Sequence, residues 1–483
     1  MTKYNVLLIF SIILFISGKL SSQQTDNRYL IYNAQIIDVF SGKIIKEKAV
    51  LIDNQKIVAI GSFQKLKKSV AASHQINANN HFMIPGLWDM HIHLEEPKLI
   101  EETKALLPLF FAYGITTVRD CASDLGEQVL GWRNQINAGK LLGPTIFTAG
   151  IKLEGVNSLW KGDYEIANET ELNTALNKLD KFKVDFVKIT ENTLKGPLFL
   201  KSIEAAHKRG YLVSGHVPID LTLNEMVDEG FSSVEHSSYL LRQGSAENDI
   251  VSDVKSGKIT TAQANSLYQT TFNQSLAIKN YQILGKKGLF VTPTLIGGKQ
   301  LAYLDESDYP KDSMMANLLT KAYTSNYAWR IERQAKDTPE QKADRKRRYL
   351  LNQSQIPHIQ KAGITILAGS DCAPLNSFVY PGQSLIQELL LFKNAGLTPL
   401  QILQSATING AKFLKKTSTM GSIDKGKIAD IVLLKNNPLI DISALEKINA
   451  VFTKGQYFDR KALDRIVQDI KALKIKLDSE RGK

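Results

Sequence analysis

The 483 residues, 43% hydrophobic and 22% charged, suffice for one large domain and a smaller one with a substantial core, so disorder is not the default reading. The formal charge of +12 is scattered, with only short clusters such as Arg345-Lys346-Arg347-Arg348, the pattern of solvated helix faces and no argument for a nucleic-acid partner. Two cysteines, Cys121 and Cys372, allow at most one disulfide, so a disulfide-framework fold is excluded and stability must come from the core.

In chain order, Lys3, the apolar run Val6 to Ile16 and the small polar stretch Ser17 to Gln23 make residues 1–23 read as a secretory signal peptide. The apolar run is about half the roughly 20 residues that a spanning helix needs. Export, periplasmic or secreted, is therefore expected after cleavage, without a stable membrane anchor. Tyr29 to Asp38 and Ala49 to Gly61 read as short β-branched strands, and Ala429 to Leu434 and Ala450 to Tyr457 have the same character. Such strands cannot stand alone, so residues 24–84 and 416–483 are expected to meet in one small β-sandwich domain.

Between them, residues 85–415 alternate apolar strands with helical stretches, the signature of an α/β fold with a parallel sheet. Eight strands are predicted, near Gly86 to His93, Ile115 to Asp120, Thr145 to Ala149, Val184 to Thr190, Tyr211 to His216, Ser233 to His236, Leu289 to Leu295 and Thr365 to Asp371. Helices are predicted at Glu101 to Tyr113, Glu169 to Phe182, Pro197 to Arg209 and Gln383 to Asn394, which fits a (β/α)8 TIM barrel better than an open sheet. Two connections, Leu240 to Lys287 and Gly297 to Gly363, exceed what a barrel requires; they either cover its mouth or lengthen its outer helices. No internal repeat, low-complexity tract or phosphate-binding G-x-x-x-x-G-K-[ST] motif is present.

Four of the eight histidines fall at predicted C-terminal strand ends. His91 and His93 are two apart on one strand, so their imidazoles share a face and suit one ion. His216 and His236 end two further strands and by barrel geometry point into the same mouth. Asp371 closes the eighth strand, where a carboxylate is poorly solvated without a cation or hydrogen-bond donors. Period-two alternation in Val184-Asp185-Phe186-Val187-Lys188-Ile189-Thr190 turns Lys188 inward with Val184 and Phe186. Burial lowers an amine's pKa, and a neutral amine can add carbon dioxide to become a metal-bridging carbamate; snorkelling to solvent or pairing with an acid is the other reading.

The run Ile84 to His93, with Lys188, His216, His236 and Asp371, resembles the ligand set of the binuclear amidohydrolase superfamily, and Gly421 to Leu434 is similar to the segment by which those chains return from the barrel to the small domain. The resemblance spans residues 28 to 460 and is strongest to the imidazolonepropionase-like and Xaa-Pro dipeptidase-like branch. It implies two divalent ions, zinc above all, one held by His91, His93 and Asp371, the other by His216 and His236, with carboxylated Lys188 bridging. It implies as nucleophile a hydroxide bridging the ions, Asp371 as general base, and Tyr239 as a candidate oxyanion donor. Arg119, Glu154 and Trp160, with Tyr239, are candidate substrate-binding residues; Arg119 would meet either a substrate carboxylate or, in an internal ion pair, Asp120 or another acid.

The expected reaction is hydrolysis of a carbon–nitrogen amide or peptide bond in a dipeptide or N-acyl amino acid. The partners are that small-molecule or dipeptide substrate and no nucleic acid, with a homo-oligomer left open. Lactonase, esterase or phosphotriesterase chemistry would use the same centre. A mononuclear deaminase or imidazolone ring-opening enzyme fits less well, because deaminases of the superfamily carry Glu three residues after the fifth-strand histidine and this chain has Ile219 there. A non-catalytic scaffold would be expected to have lost ligands, and all six are present.

Overall fold

The computed structural model describes residues 28–481, so the expected signal peptide, residues 1–23, lies outside the described residues. The chain begins with strands β1 (Arg28–Ile37), β2 (Ile44–Asp53), β3 (Lys56–Gly61), β4 (Gln75–Asn77) and β5 (Phe82–Pro85). The central part contributes β6 (Leu87–Ile92), β7 (Ile115–Asp120), β8 (Thr145–Thr148), β9 (Leu153–Gly155), β10 (Tyr164–Ile166), β11 (Val187–Ile189), β12 (Val213–Gly215), β13 (Phe231–Glu235), β14 (Phe290–Thr292) and β15 (Thr365–Ile366). β16 (Ile431–Leu434), β17 (Ile448–Thr453) and β18 (Gln456–Phe458) follow near the end.

The two chain ends do meet. β16 runs antiparallel to β5, with Ile431 opposite Pro85, and the sheet order is β18-β17-β16-β5-β1-β2-β3, with β4 beside β1. The expected β-sandwich is not shown: the ladders are continuous, and the eight strands form one mixed sheet. Ile31, Val50, Ile52, Met83, Ile431, Leu433 and Phe452 make its own apolar cluster.

The eight strands expected in the central region are all present, most of them shorter than expected, and with two further short strands, β9 and β10, they form two parallel sheets ordered β6-β7-β8 and β10-β9-β11-β12-β13-β14-β15. Every residue of β6 and β7 is buried, as expected of parallel strands covered by helices. Backbone bonds reach across both gaps between the sheets. Asp185 N donates to Thr148 O at 2.9 Å, Met90 N to Ala368 O at 2.8 Å and Asp371 N to His91 O at 2.7 Å. The arrangement is TIM-barrel-like, with the strand C-termini gathered at one end. Glycine permits two of the tightest approaches there. A Cβ on Gly369 would lie 2.5 Å from the Thr292 side chain and 2.8 Å from His91, and one on Gly215 would lie 2.0 Å from Ile189 O.

Helix Glu169–Phe182 has its predicted bounds, its start fixed by Asn168, whose side chain accepts from Glu171 N at 3.0 Å. The helix expected over 101–113 is instead two, Ile100–Leu106 and Leu109–Ala112, because Pro108 supplies no amide donor at the join. The first long connection folds into helices Glu247–Lys255, Thr261–Thr270 and Gln274–Lys286; the second runs from Leu295–Ala302 to the long helix Pro339–Lys361. Both contribute walls to one cavity over the strand C-termini, so they cover the mouth. Cys121 and Cys372 are free and buried, and no described helix is long and apolar enough to cross a membrane.

Candidate metal centre and active site

The four strand-end histidines stand in a row. Ring centroids are 5.1 Å apart for His93 and His91, 5.1 Å for His91 and His236, and 5.0 Å for His236 and His216. Each Nδ1 has a partner that fixes the ring. His91 Nδ1 meets Glu235 at 2.8 Å, His93 Nδ1 meets Ala122 O at 3.1 Å, His216 Nδ1 meets Glu191 at 2.8 Å and His236 Nδ1 meets Thr294 Oγ1 at 2.7 Å. A carbonyl or carboxylate only accepts, and the Thr294 hydroxyl already donates to Pro293 O at 2.8 Å, so all four rings carry a proton on Nδ1, which leaves Nε2 for a cation or a second proton.

This tautomer assignment makes the centre a test of metal binding. His91 Nε2 and His93 Nε2 are 3.2 Å apart, and both face Asp371 Oδ1, at 3.3 and 3.2 Å. Facing lone pairs and a carboxylate oxygen repel unless a proton or cation sits among them. Donor atoms of His91, His236 and Asp371 lie within 4.8 Å of one another. Burial disfavours an ionised Asp371, yet His91, the hydrogen bond with His93 and the field of His236 outweigh it and hold this carboxyl far below the usual range. Burial pushes His91 down to about 4, so it is a neutral ligand-type imidazole at physiological pH. The backbones of His236 (φ 74°) and Asp371 (φ 61°) are left-handed, a conformation that costs non-glycine residues on the order of 1–3 kcal/mol and that clusters at functional sites.

Lys188 is 1% exposed, and its Nζ has no hydrogen-bond partner among the described residues. It neither snorkels nor pairs with an acid. Burial lowers its pKa, and the fields of Glu235, Cys121, Arg119 and Asp371 act on it at the same site. In register it stands beside Ser214 of β12, which stands beside Ser233 of β13, two residues before Glu235. An orphaned buried amine among the ligands fits the donor set of a binuclear centre.

Tyr239 stacks against His216, centroids 5.6 Å apart, and its hydroxyl donates to Glu191 at 2.6 Å. Burial and the Glu191 carboxylate keep its proton in place, with a pKa well above the ordinary value. It lines a cavity of about 570 Å³ together with His236, Thr294 and Asp371.

Two expected substrate contacts are corrected. Arg119 does not reach the mouth: fully buried, it donates to Glu235 at 2.9 and 2.8 Å and to Thr292 Oγ1 at 3.0 Å, between the rings of Phe186 and Phe413. Glu154 is likewise buried and accepts from Gly155 N, Asn192 N, Asn192 Nδ2 and Leu194 N at 2.8 to 3.0 Å, so it shapes the loop after β11. Trp160, 39% exposed, lines a separate cavity of about 270 Å³ with Glu95, Asp124, Lys152 and Asp163.

Sequence reasoning missed the carboxylates that orient the imidazoles. Glu235 is held ionised against burial by Arg119 and His91, and Glu191, against the same penalty, is held at about 2 by His216 and Tyr239. Both neighbour a strand end, and ligating histidines regularly donate their second N–H to such groups, which was the available signal. Asp89 was missed too; it accepts from Ser370 N at 2.9 Å and Ser370 Oγ at 2.6 Å and so ties the first strand to the turn that carries Asp371.

A sequence model of the family described as Amidohydrolase family matches residues 82–457. Ochratoxinase of Aspergillus niger is 21% identical over 444 residues, which cover 85% of this chain and 82% of that protein. Among solved structures, a Xaa-Pro dipeptidase with bound methionine in the active site superposes with a TM-score of 0.65 at 21% identity, covering 89% of this chain and 100% of that one. Bottromycin amidohydrolase superposes with a TM-score of 0.70 at 17% identity, covering 93% and 91%. At these identities the structural likeness establishes the fold.

Proposed function

The chain belongs to the amidohydrolase family and hydrolyses carbon–nitrogen amide bonds; from that premise we propose that its substrates are dipeptides or N-acyl amino acids, cleaved at a centre for two divalent ions. The observation that carries the reading is the set of four imidazoles, each fixed through Nδ1, converging with Asp371 and the orphaned amine of Lys188. The family generally uses divalent metals. His91, His93 and Asp371 would hold one ion and His216 and His236 the other, with Lys188 bridging as a carbamate after adding carbon dioxide, and a nitrogen-rich set of this kind suits zinc. The ions, when bound, supply Lewis acidity that makes water acidic and polarises a carbonyl.

The chain's own residues do the rest. Asp371, ionised and aimed at the space between the imidazoles, takes the proton of the attacking water and returns it to the nitrogen as the C–N bond breaks. Glu235 and Glu191 keep His91 and His216 oriented through Nδ1. Tyr239 retains its proton and, by exchanging Glu191 for the substrate, donates to the oxygen that gains charge in the tetrahedral intermediate. Peptide scavenging suits an exported enzyme, and export with loss of residues 1–23 is part of the same proposal; it rests on the order of charged, apolar and polar residues there.

The test joins elemental analysis to turnover. Two ions per chain and hydrolysis of a dipeptide or N-acyl amino acid are expected, with lactones and phosphotriesters as the competing arms. Lys188→Ala should lose activity and regain it with short carboxylic acids; full activity without them would remove the carbamate bridge.

A further inference from the structure

The cavity above the centre has a wall built by the 297–363 insertion, from which Arg330, Arg345 and Arg348 face it. The three cations differ in what already neutralises them. Arg345 is paired with Asp337, and Arg348, about half exposed, has Asp344 at 3.4 Å. Arg242, which also lines the cavity, is tied to Glu247 at 3.1 Å and to the carbonyls of Pro218 and Leu221. Arg330 has no carboxylate within ion-pair distance among the described residues; it donates to Asn376 Oδ1, lies over the Trp329 ring at 4.8 Å, and its Nε is buried with no partner.

Such a guanidinium keeps donors free while paying part of the desolvation cost of a buried charge, a combination that an anionic ligand resolves. Its position is fixed relative to the chemistry. Asn376, which accepts from Arg330, donates through Nδ2 to Asp371 O at 2.7 Å, so the cation is tethered beside the residue that protonates the leaving nitrogen. In a dipeptide or N-acyl amino acid the free α-carboxylate is one carbon from that nitrogen, and the planar fork of an arginine matches a carboxylate edge on.

We infer that Arg330 is the specificity-determining residue that binds the free α-carboxylate of the amino acid released by hydrolysis, and so restricts the enzyme to substrates ending in an unblocked C-terminus. This rests on the reading of the chain as a dipeptide or N-acyl amino acid hydrolase. The role assigned to Arg119 from sequence thus passes to a residue of the insertion.

The test separates the two. Calorimetric titration of the metal-loaded protein with L-leucine and with L-leucinamide requires no turnover. Wild type should prefer the acid by roughly 10- to 100-fold, the worth of one charged hydrogen-bonded pair; Arg330→Gln should abolish that preference with an unchanged melting temperature, and Arg330→Lys should restore part of it. Equal behaviour of acid and amide in wild type, whether both bind or neither does, overturns the inference, as does a preference that survives in folded Arg330→Gln. In turnover, N-acetyl-L-leucine should be favoured over its amide. Cleavage of the amide alone would sink the inference and leave the hydrolase reading standing, whereas absence of turnover with a persistent acid preference would sink the hydrolase reading alone.

Discussion

Two arginines near the mouth face opposite situations. Arg119 meets Glu235, Thr292 and two aromatic faces, while Arg330, on the wall built by the insertion, has no carboxylate within ion-pair distance among the described residues. The floor of the site is a chain of contacts, Arg119 to Glu235 to His91, in which the Arg119 charge is met by the Glu235 carboxylate. The wall leaves capacity for a ligand. Charges of the first kind position other groups; charges of the second kind select what binds.

The comparison breaks most visibly at Asp371. Asp371→Asn keeps the shape and removes the proton acceptor, so kcat should fall by on the order of 10²- to 10⁴-fold in steady-state assays; a variant of near wild-type kcat would show that the floor holds no general base there. Next in size is Glu235→Gln, which leaves Arg119 buried and unpaired. Urea unfolding should report a loss of about 3–5 kcal/mol, and metal affinity should drop about 10- to 100-fold because His91 loses its orienting carboxylate.

Arg330→Gln should behave in the opposite way, with stability changed by no more than about 0.5 kcal/mol and the acid-over-amide preference gone. If Glu235→Gln proved neutral or Arg330→Gln unfolded the protein, the division between floor and wall would fail. The smallest effect concerns Glu191, whose folded pKa of about 2 lies below its ordinary 4.5. A depressed carboxylate stabilises the fold above its unfolded pKa, and that contribution is lost as pH falls from about 4.5 towards 2. The melting temperature of wild type should therefore decline more steeply over that range than that of Glu191→Gln.

Much of the centre was legible in the sequence because its signals are local. His91 and His93 share a face through a two-residue spacing, Lys188 turns inward by alternation with Phe186, and Gly215 and Gly369 immediately precede the turns that carry His216 and Asp371. The eight central strands followed from apolar runs bounded by turn residues, whereas the single sheet of the chain ends did not, because alternation within a strand carries no information about whether neighbouring ladders join. The choice between a substrate contact and an internal role at Arg119 and Glu154 was open for a related reason: both sit at or near strand ends, as ligand-binding residues do, and only their partners, Glu235 for Arg119 and the loop amides for Glu154, decide it.

By itself the sequence determined which strands form, which side chains point inward, and the order in which the metal-ligating residues arrive at the mouth, all of which depend on spacing along a few residues of backbone. The tertiary structure alone decided which charges neutralise one another. Glu235 reaches His91 across 144 positions and Arg119 across 116, and the insertion brings Arg330 beside Asn376, 46 positions on. Electrostatic partnership depends on distance in space and on exclusion of water, and neither is encoded in any short stretch of chain.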